Sequence, residues 1–191
     1  MTKYFYPLVE NPFRKKDIDK GIKVLNSGKL TIGAHTELFQ KTFSKKIKTK
    51  NSLLVNSGSS ANLLALQCLI NPYRKKRLKK GDEVLVPALC WSTSLWPIVQ
   101  SGLKPKFVDI ETETLNLNLK ELEKKISKKT KAILVVHVLG NCTNMDQLVK
   151  IKNKYNLILI EDTCESLGTK FKNKYLGTFG EFSSFSFYSS H

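Results

Sequence analysis

From residue 52 onward, short apolar runs alternate with segments that repeat at helical spacing, and this alternation constrains the fold more than any other feature of the chain. The runs cover residues 53–55, 83–87, 106–110, 132–139 and 157–161, and the helical segments cover 59–70, 92–101, 119–127 and 144–155. Strand-length runs separated by helices mark βαβ units. The chain is therefore predicted to be α/β, a three-layer α/β/α sandwich around a mostly parallel sheet covered on both faces. Two further helices are predicted upstream. One spans 15–27, where Ile18, Ile22, Val24 and Leu25 recur at helical intervals and Asn26-Ser27-Gly28 ends the pattern; the other spans 35–46. After Asp162 the residues become aromatic, glycine- and serine-rich with period-two stretches, as for short strands along one edge of the sheet. The last residues show no cap or polar tail and read as a cut through an element, so residues 1–191 are expected to be the first part of a larger domain.

The 191 residues suffice for one domain with a sizeable core and are too few for two well-grown ones. No apolar run approaches the roughly 20 residues of a bilayer-spanning helix. The opening MTKYFYPLVENPFRKK lacks the unbroken apolar stretch of an export signal, so a cytoplasmic protein without a membrane partner is expected. Lys+Arg 32 against Asp+Glu 16 gives a net charge of +16. Only Arg14, Arg74 and Arg77 are arginine, which leaves 32 − 3 = 29 lysines scattered along the chain. Base readout favours the forked guanidinium, so no nucleic-acid partner is expected. The densest cluster, Arg74-Lys75-Lys76-Arg77 with Lys79 and Lys80, reads as a solvated connection. The four cysteines, Cys68, Cys90, Cys142 and Cys164, form no CxxC pair and meet no histidine cluster, so reduced thiols and no metal site are expected.

Ligands of open α/β sheets sit beyond the carboxyl ends of the strands. Four segments stand there. Val55-Asn56-Ser57-Gly58-Ser59-Ser60-Ala61-Asn62 runs through a small-residue turn into a helix, either an anion site built on first-turn N–H groups or an ordinary serine-capped helix start. Ile158-Leu159-Ile160-Glu161-Asp162-Thr163-Cys164-Glu165 delivers acids to the strand end, where a carboxylate either pairs with a protonated ring nitrogen or caps a helix. Pro87-Ala88-Leu89-Cys90-Trp91-Ser92-Thr93 places an indole past a strand end, for stacking on a planar ligand or for core packing. The fourth, residues 183–191, sets Ser186 and His191 among aromatics. His35 and His137 read as structural, with His137 near enough to a strand end to border a substrate; Asn141 and Asn144 are loop and cap candidates.

Taken in order, these segments resemble the DegT/DnrJ/EryC1/StrS sugar aminotransferase family, which has the fold type I pyridoxal-phosphate architecture. The resemblance is carried by Gly28-Lys29-Leu30-Thr31-Ile32-Gly33, NSGSSANLL, KKGDEVLVPALCWSTS, GLKPKFVDIETETLNL, HVLGNCTNMDQL, LILIEDTCESLG and GTFGEFSSFSFYSSH. It implies pyridoxal 5'-phosphate or pyridoxamine 5'-phosphate as cofactor, with Gly58, Ser59 and Ser186 on its phosphate, Trp91 stacked on its ring and Asp162 on its ring nitrogen. Glu165 stands where the aminotransferases carry glutamine and joins the cofactor-binding candidates with its role open. His191 stands where they carry the lysine that tethers the cofactor. An imidazole forms no stable tether but moves protons near neutral pH, so the resemblance narrows to the dehydratase branch, with His191 and Asp162 catalytic. That branch removes the 3-hydroxyl of nucleotide-linked 4-keto-6-deoxy sugars in deoxysugar and lipopolysaccharide O-antigen biosynthesis. It further implies a nucleotide-linked sugar as substrate, a homodimer when full length, and a smaller carboxyl-terminal domain outside this chain. The alternatives are a nucleotide-sugar aminotransferase that uses another lysine and a noncatalytic remnant or interaction module.

Overall fold

Gly28, with φ +65, ends the first predicted helix as a left-handed turn that few other residues adopt without strain. Helices α1 (Lys15–Asn26) and α2 (Ala34–Ile47) follow the predicted boundaries closely. The computed structural model describes Val9 and residues 12–188, in two units: the described residues up to Leu54 with Tyr188, and Val55–Phe187. Within the first, Ser52 Oγ donates to the Gln40 carbonyl at 2.6 Å and the Leu54 N–H to Gln40 Oε1 at 2.8 Å. His191 and the opening residues lie outside the described residues.

The second unit realises the alternating pattern as α3 (Gly58–Ile70), β1 (Glu83–Pro87), α4 (Ser92–Gln100), β2 (Lys104–Val108), α5 (Leu119–Lys124), β3 (Thr130–Val136), α6 (Met145–Lys154) and β4 (Ile158–Asp162). Two two-residue strands, β5 (Lys170–Phe171) and β6 (Lys174–Tyr175), and then β7 (Phe182–Ser184) follow. The main sheet runs β2-β1-β3-β4-β7 with every pair parallel.

Because strand side chains alternate, each run is sorted residue by residue between two cores. Val84, Val86, Leu134 and Ile160 meet Leu66, Leu69 and Ile98 of α3 and α4. Leu85, Ile133, Val135 and Leu159 meet Leu122, Met145 and Leu148 of α5 and α6. Each such side chain withdrawn from water contributes about 1.5–3 kcal/mol, which is what draws helices onto both faces. Asn144 caps α6 as expected, accepting the Gln147 N–H at 3.1 Å.

Several expectations are corrected. Residues 53–55 form no strand: among the described residues none pairs with them, and Leu53 and Leu54 are exposed. Without a neighbouring strand an apolar triplet forms no ladder, and the Leu54 N–H turns instead to the Gln40 side chain. The run predicted at 106–110 is paired from Lys104 to Val108, and Ile110 instead bridges Leu117. The run at 132–139 ends as strand at Val136 and turns through a 3-10 segment, Val138–Gly140, in which Leu139 takes φ 52. The helix predicted over 119–127 stops at Lys124. Beyond Asp162, β7 joins the sheet edge as expected, while β5 and β6 make a separate antiparallel hairpin. The basic cluster is tied down in part. Arg74 ion-pairs with Glu181 and lies 5.6 Å from the centre of the Phe182 ring, and Lys76 Nζ donates to Asn156 Oδ1 at 2.8 Å. Among the described residues no helix is long and apolar enough to cross a membrane, and no group of three or more His, Cys, Asp or Glu could hold a metal ion.

Candidate active site

Parallel β1, β3 and β4 end at one edge, where α3 and α4 begin, so helix N-termini and strand C-termini converge there. Asp162, the last residue of β4, is buried in that crevice. Its Oδ2 accepts hydrogen bonds from Asn62 Nδ2 of α3 and Ser94 Oγ of α4, both at 2.7 Å. Its Oδ1 accepts from the Cys164 N–H at 3.2 Å and from Ser184 Oγ of β7 at 3.3 Å. A carboxylate leaves water only when its lone pairs find donors, and here three elements besides its own strand and its outgoing turn supply them. The alternative reading of Asp162 as a simple helix cap is thereby set aside: no helix starts at that turn.

Glu161 points the other way. Strand alternation sends it to the α6 side, where it is fully buried. Its carboxylate accepts the N–H groups of Gly177 at 2.8 Å, Phe179 at 2.6 Å and Gly180 at 2.6 Å, and lies 3.3 Å from His137 Nε2. Two of these donors are glycines for steric reasons: a Cβ on Gly180 would sit 2.5 Å from the Leu159 carbonyl oxygen, and Gly177 takes φ +83 against the Phe185 ring. Glu161 therefore holds the turn that feeds β7, and His137 is the structural histidine expected from the sequence.

Gly58 opens α3 behind the Ser57 cap, whose hydroxyl accepts the Ser60 N–H at 3.1 Å. The serine cap and the anion cradle are thus compatible, because Gly58 and Ser59 precede the first i→i−4 bond and carry N–H groups the helix itself does not use. A Cβ on Gly58 would stand 2.7 Å from Cys164 Sγ and 3.4 Å from Ser186 Cβ, so only a glycine lets the start of α3 pack this closely against Cys164 and the segment after β7. Ser59 Oγ donates to Thr93 Oγ1 at 2.9 Å, joining the α3 and α4 starts. Trp91 is the N-cap residue of α4 and is 72% exposed, so its indole is not core packing. Glu165 Oε2 accepts the Leu139 N–H at 2.8 Å and so fixes the positive-φ turn after β3. The structure thus gathers Gly58, Ser59, Asp162, Cys164 and Ser186 by direct contacts or through shared neighbours, and sets Trp91 one residue before α4.

The sequence reading missed Asn62, Ser94 and Ser184. A signal existed for Asn62: it falls on the same stripe of α3 as Ala65, Leu66 and Leu69, all buried, and an amide on an apolar stripe needs a partner. Ser94 and Ser184 carry no such mark, being serines among serines.

Burial, reinforced by the Asp162 charge, pushes the Cys164 and Cys90 thiols up from their ordinary 9.0, and burial with Glu161 nearby does the same for Cys142. A raised thiol pKa favours the neutral form in the folded state. The stability this gives is present below the ordinary thiol value and declines as pH rises above it, where the unfolded chain ionises first. At pH 8 all three are expected to react with iodoacetamide at least about tenfold more slowly in the folded than in the urea-unfolded protein, read residue by residue by mass spectrometry.

The chain is 43% identical over 187 residues to GDP-4-keto-6-deoxy-D-mannose 3-dehydratase of Escherichia coli O55:H7, a match covering 97% of this chain and 48% of that protein. Among solved structures, a mutant of GDP-4-keto-6-deoxymannose-3-dehydratase with bound GDP-perosamine superposes with a TM-score of 0.91 at 42% identity, covering 96% of this chain and 47% of that one. The Escherichia coli enzyme with bound hydrated PLP gives 0.87 at 43% identity, covering 92% and 45%. The first of these mutants has a histidine replaced by asparagine, and a further structure of the enzyme has an adjacent serine and histidine replaced by asparagine and lysine. The chain spans about half the length of the curated relatives it matches. A family model covers nearly everything described above, from the start of α1 through the turn that carries Ser186, matching residues 12–191. With that match added to the fold and the crevice, the chain belongs to the DegT/DnrJ/EryC1/StrS aminotransferase family.

Proposed function

We propose that this chain forms the coenzyme-holding part of an enzyme that removes the 3-hydroxyl of a nucleotide-linked 4-keto-6-deoxy sugar, with GDP-4-keto-6-deoxymannose as the substrate to test first. Pyridoxamine 5'-phosphate, exchanging with pyridoxal 5'-phosphate, is the coenzyme. The observation that carries this reading is the buried Asp162 carboxylate, held by Asn62, Ser94 and Ser184 and joined through Cys164 to the close-packed start of α3 at Gly58. Those features suit a flat, charged, phosphorylated heterocycle: an acceptor for its ring nitrogen at one end, and the first-turn N–H groups of α3 for its phosphate at the other. On this reading residues 1–191 are the first part of the large coenzyme-binding domain, a smaller domain lies outside this chain, and the whole protein works as a cytoplasmic homodimer.

When bound, the coenzyme supplies an amine for the sugar's keto group and a cationic ring that delocalises an electron pair. The chain does the rest. The first-turn N–H groups of Gly58 and Ser59, with the Ser186 hydroxyl, bind the phosphate. Trp91 covers the ring face, and Asp162 keeps the proton on the ring nitrogen. His191 takes the proton from the coenzyme's C4′ carbon as the 3-hydroxyl departs. Glu165 keeps the turn at Leu139 in place beside the substrate. The chain contains one Ser–His dipeptide, Ser190–His191, of the kind altered in the dehydratase structure with an adjacent serine and histidine replaced.

The deciding experiment supplies the whole protein with pyridoxamine 5'-phosphate and GDP-4-keto-6-deoxymannose and looks by mass spectrometry for a sugar without its 3-hydroxyl. Asp162→Ala is expected to lower this turnover by at least about a hundredfold. An amino sugar formed with glutamate as donor, with the 3-hydroxyl retained, makes the protein an aminotransferase instead. Absence of both products with bound coenzyme overturns both readings.

A further inference from the structure

We infer that Asn62 and Ser94 are positioning residues that aim the Asp162 carboxylate and thereby set how tightly the coenzyme's ring nitrogen holds its proton; this rests on the reading of Asp162 given above. Both side chains are essentially inaccessible, Asn62 at 1% and Ser94 at 0% exposure. They come from different helices, and both donate to the same oxygen, Oδ2, at 2.7 Å, whereas the contacts on Oδ1 are longer, at 3.2 and 3.3 Å. Two short bonds from rigid helices to one oxygen leave the carboxylate plane little freedom to turn.

The character of Asn62 argues that the bond is its purpose. Among the described residues its buried Oδ1 has no hydrogen-bond partner, and its Nδ2 otherwise makes only a long 3.5 Å approach to the Thr93 carbonyl. A leucine would fill nearly the same volume on a stripe already built from Ala65, Leu66 and Leu69 and would strand no acceptor. Turning the amide round would set Oδ1 against the carboxylate. Packing thus gives no reason for an asparagine here, and orientation of Asp162 gives one.

The test uses the whole protein loaded with pyridoxamine 5'-phosphate labelled with nitrogen-15 in the ring, and follows the ring shift against pH in the wild type, Asn62→Leu, Ser94→Ala, their combination and Asp162→Asn. The double variant is expected to bind the coenzyme and to lose the ring proton at a pH about one unit lower, a tenfold weaker hold. Ser94→Ala, which removes a single atom, is expected to give part of that shift and serves if Asn62→Leu does not fold. A shift in Asp162→Asn with none in the double variant, or none in Ser94→Ala where the double variant does not fold, overturns this inference and leaves the role of Asp162 standing. No shift in Asp162→Asn overturns that role and this inference with it.

Discussion

Glu161→Ala is expected to lower stability by about 3–5 kcal/mol, measured as the free energy of urea unfolding. The substitution removes both carboxylate oxygens and leaves four groups without their partner at once: the N–H groups of Gly177, Phe179 and Gly180, and His137 Nε2. Glu161, His137 and Gly177 are buried, so water replaces the lost carboxylate poorly there, while Phe179 and Gly180 are half-buried. Glu161→Gln keeps one acceptor oxygen but turns an NH2 group toward backbone N–H groups, so its loss is expected to fall between wild type and alanine. The effect reaches the candidate active site, since the turn over residues 177–180 leads into β7 and hence to Ser184 and Ser186. A loss under about 1 kcal/mol for the alanine variant would mean that the turn stands without its carboxylate.

The second large effect is on chemistry. His191→Asn is expected to slow removal of the 3-hydroxyl by about 10²–10⁴-fold while leaving coenzyme binding near wild type, the range for losing a positioned general base. His191→Lys is expected to lose the reaction to a similar degree and also to gain a visible absorbance band from coenzyme tethered to the new amine, removable by borohydride reduction and traceable to position 191 by peptide mapping. An unaltered rate in the asparagine variant, or a lysine variant whose coenzyme dialyses away, would remove position 191 from the mechanism.

Much of this was legible in the sequence because parallel sheets advertise themselves. Runs such as Ala132–Val136 and Ile158–Ile160 are apolar on both faces and admit few other roles, and the helices between them show their buried stripes. Residues 53–55 misled because a short apolar run is only half of a strand, the other half being a neighbour. The crevice was visible as separate segments, yet not the bonds that join them. Asn62 and Ser94 reach Asp162 from 100 and 68 positions away, and loop closure at that range leaves no local pattern to read. The adjacent acids show the same limit. Period-two geometry implies that Glu161 and Asp162 diverge, but the three N–H groups waiting for Glu161 sit in a turn with no recognisable motif.

That divergence has a bearing on how such a chain can drift over generations. Because β4 carries its two acids to opposite sides, their order is fixed even though composition and charge are indifferent to it. An exchanged pair would offer the glycine turn a side chain one methylene too short and crowd the polar niche with one too long. Change is thereby steered away from this dipeptide and onto positions whose side chains no buried donor depends on.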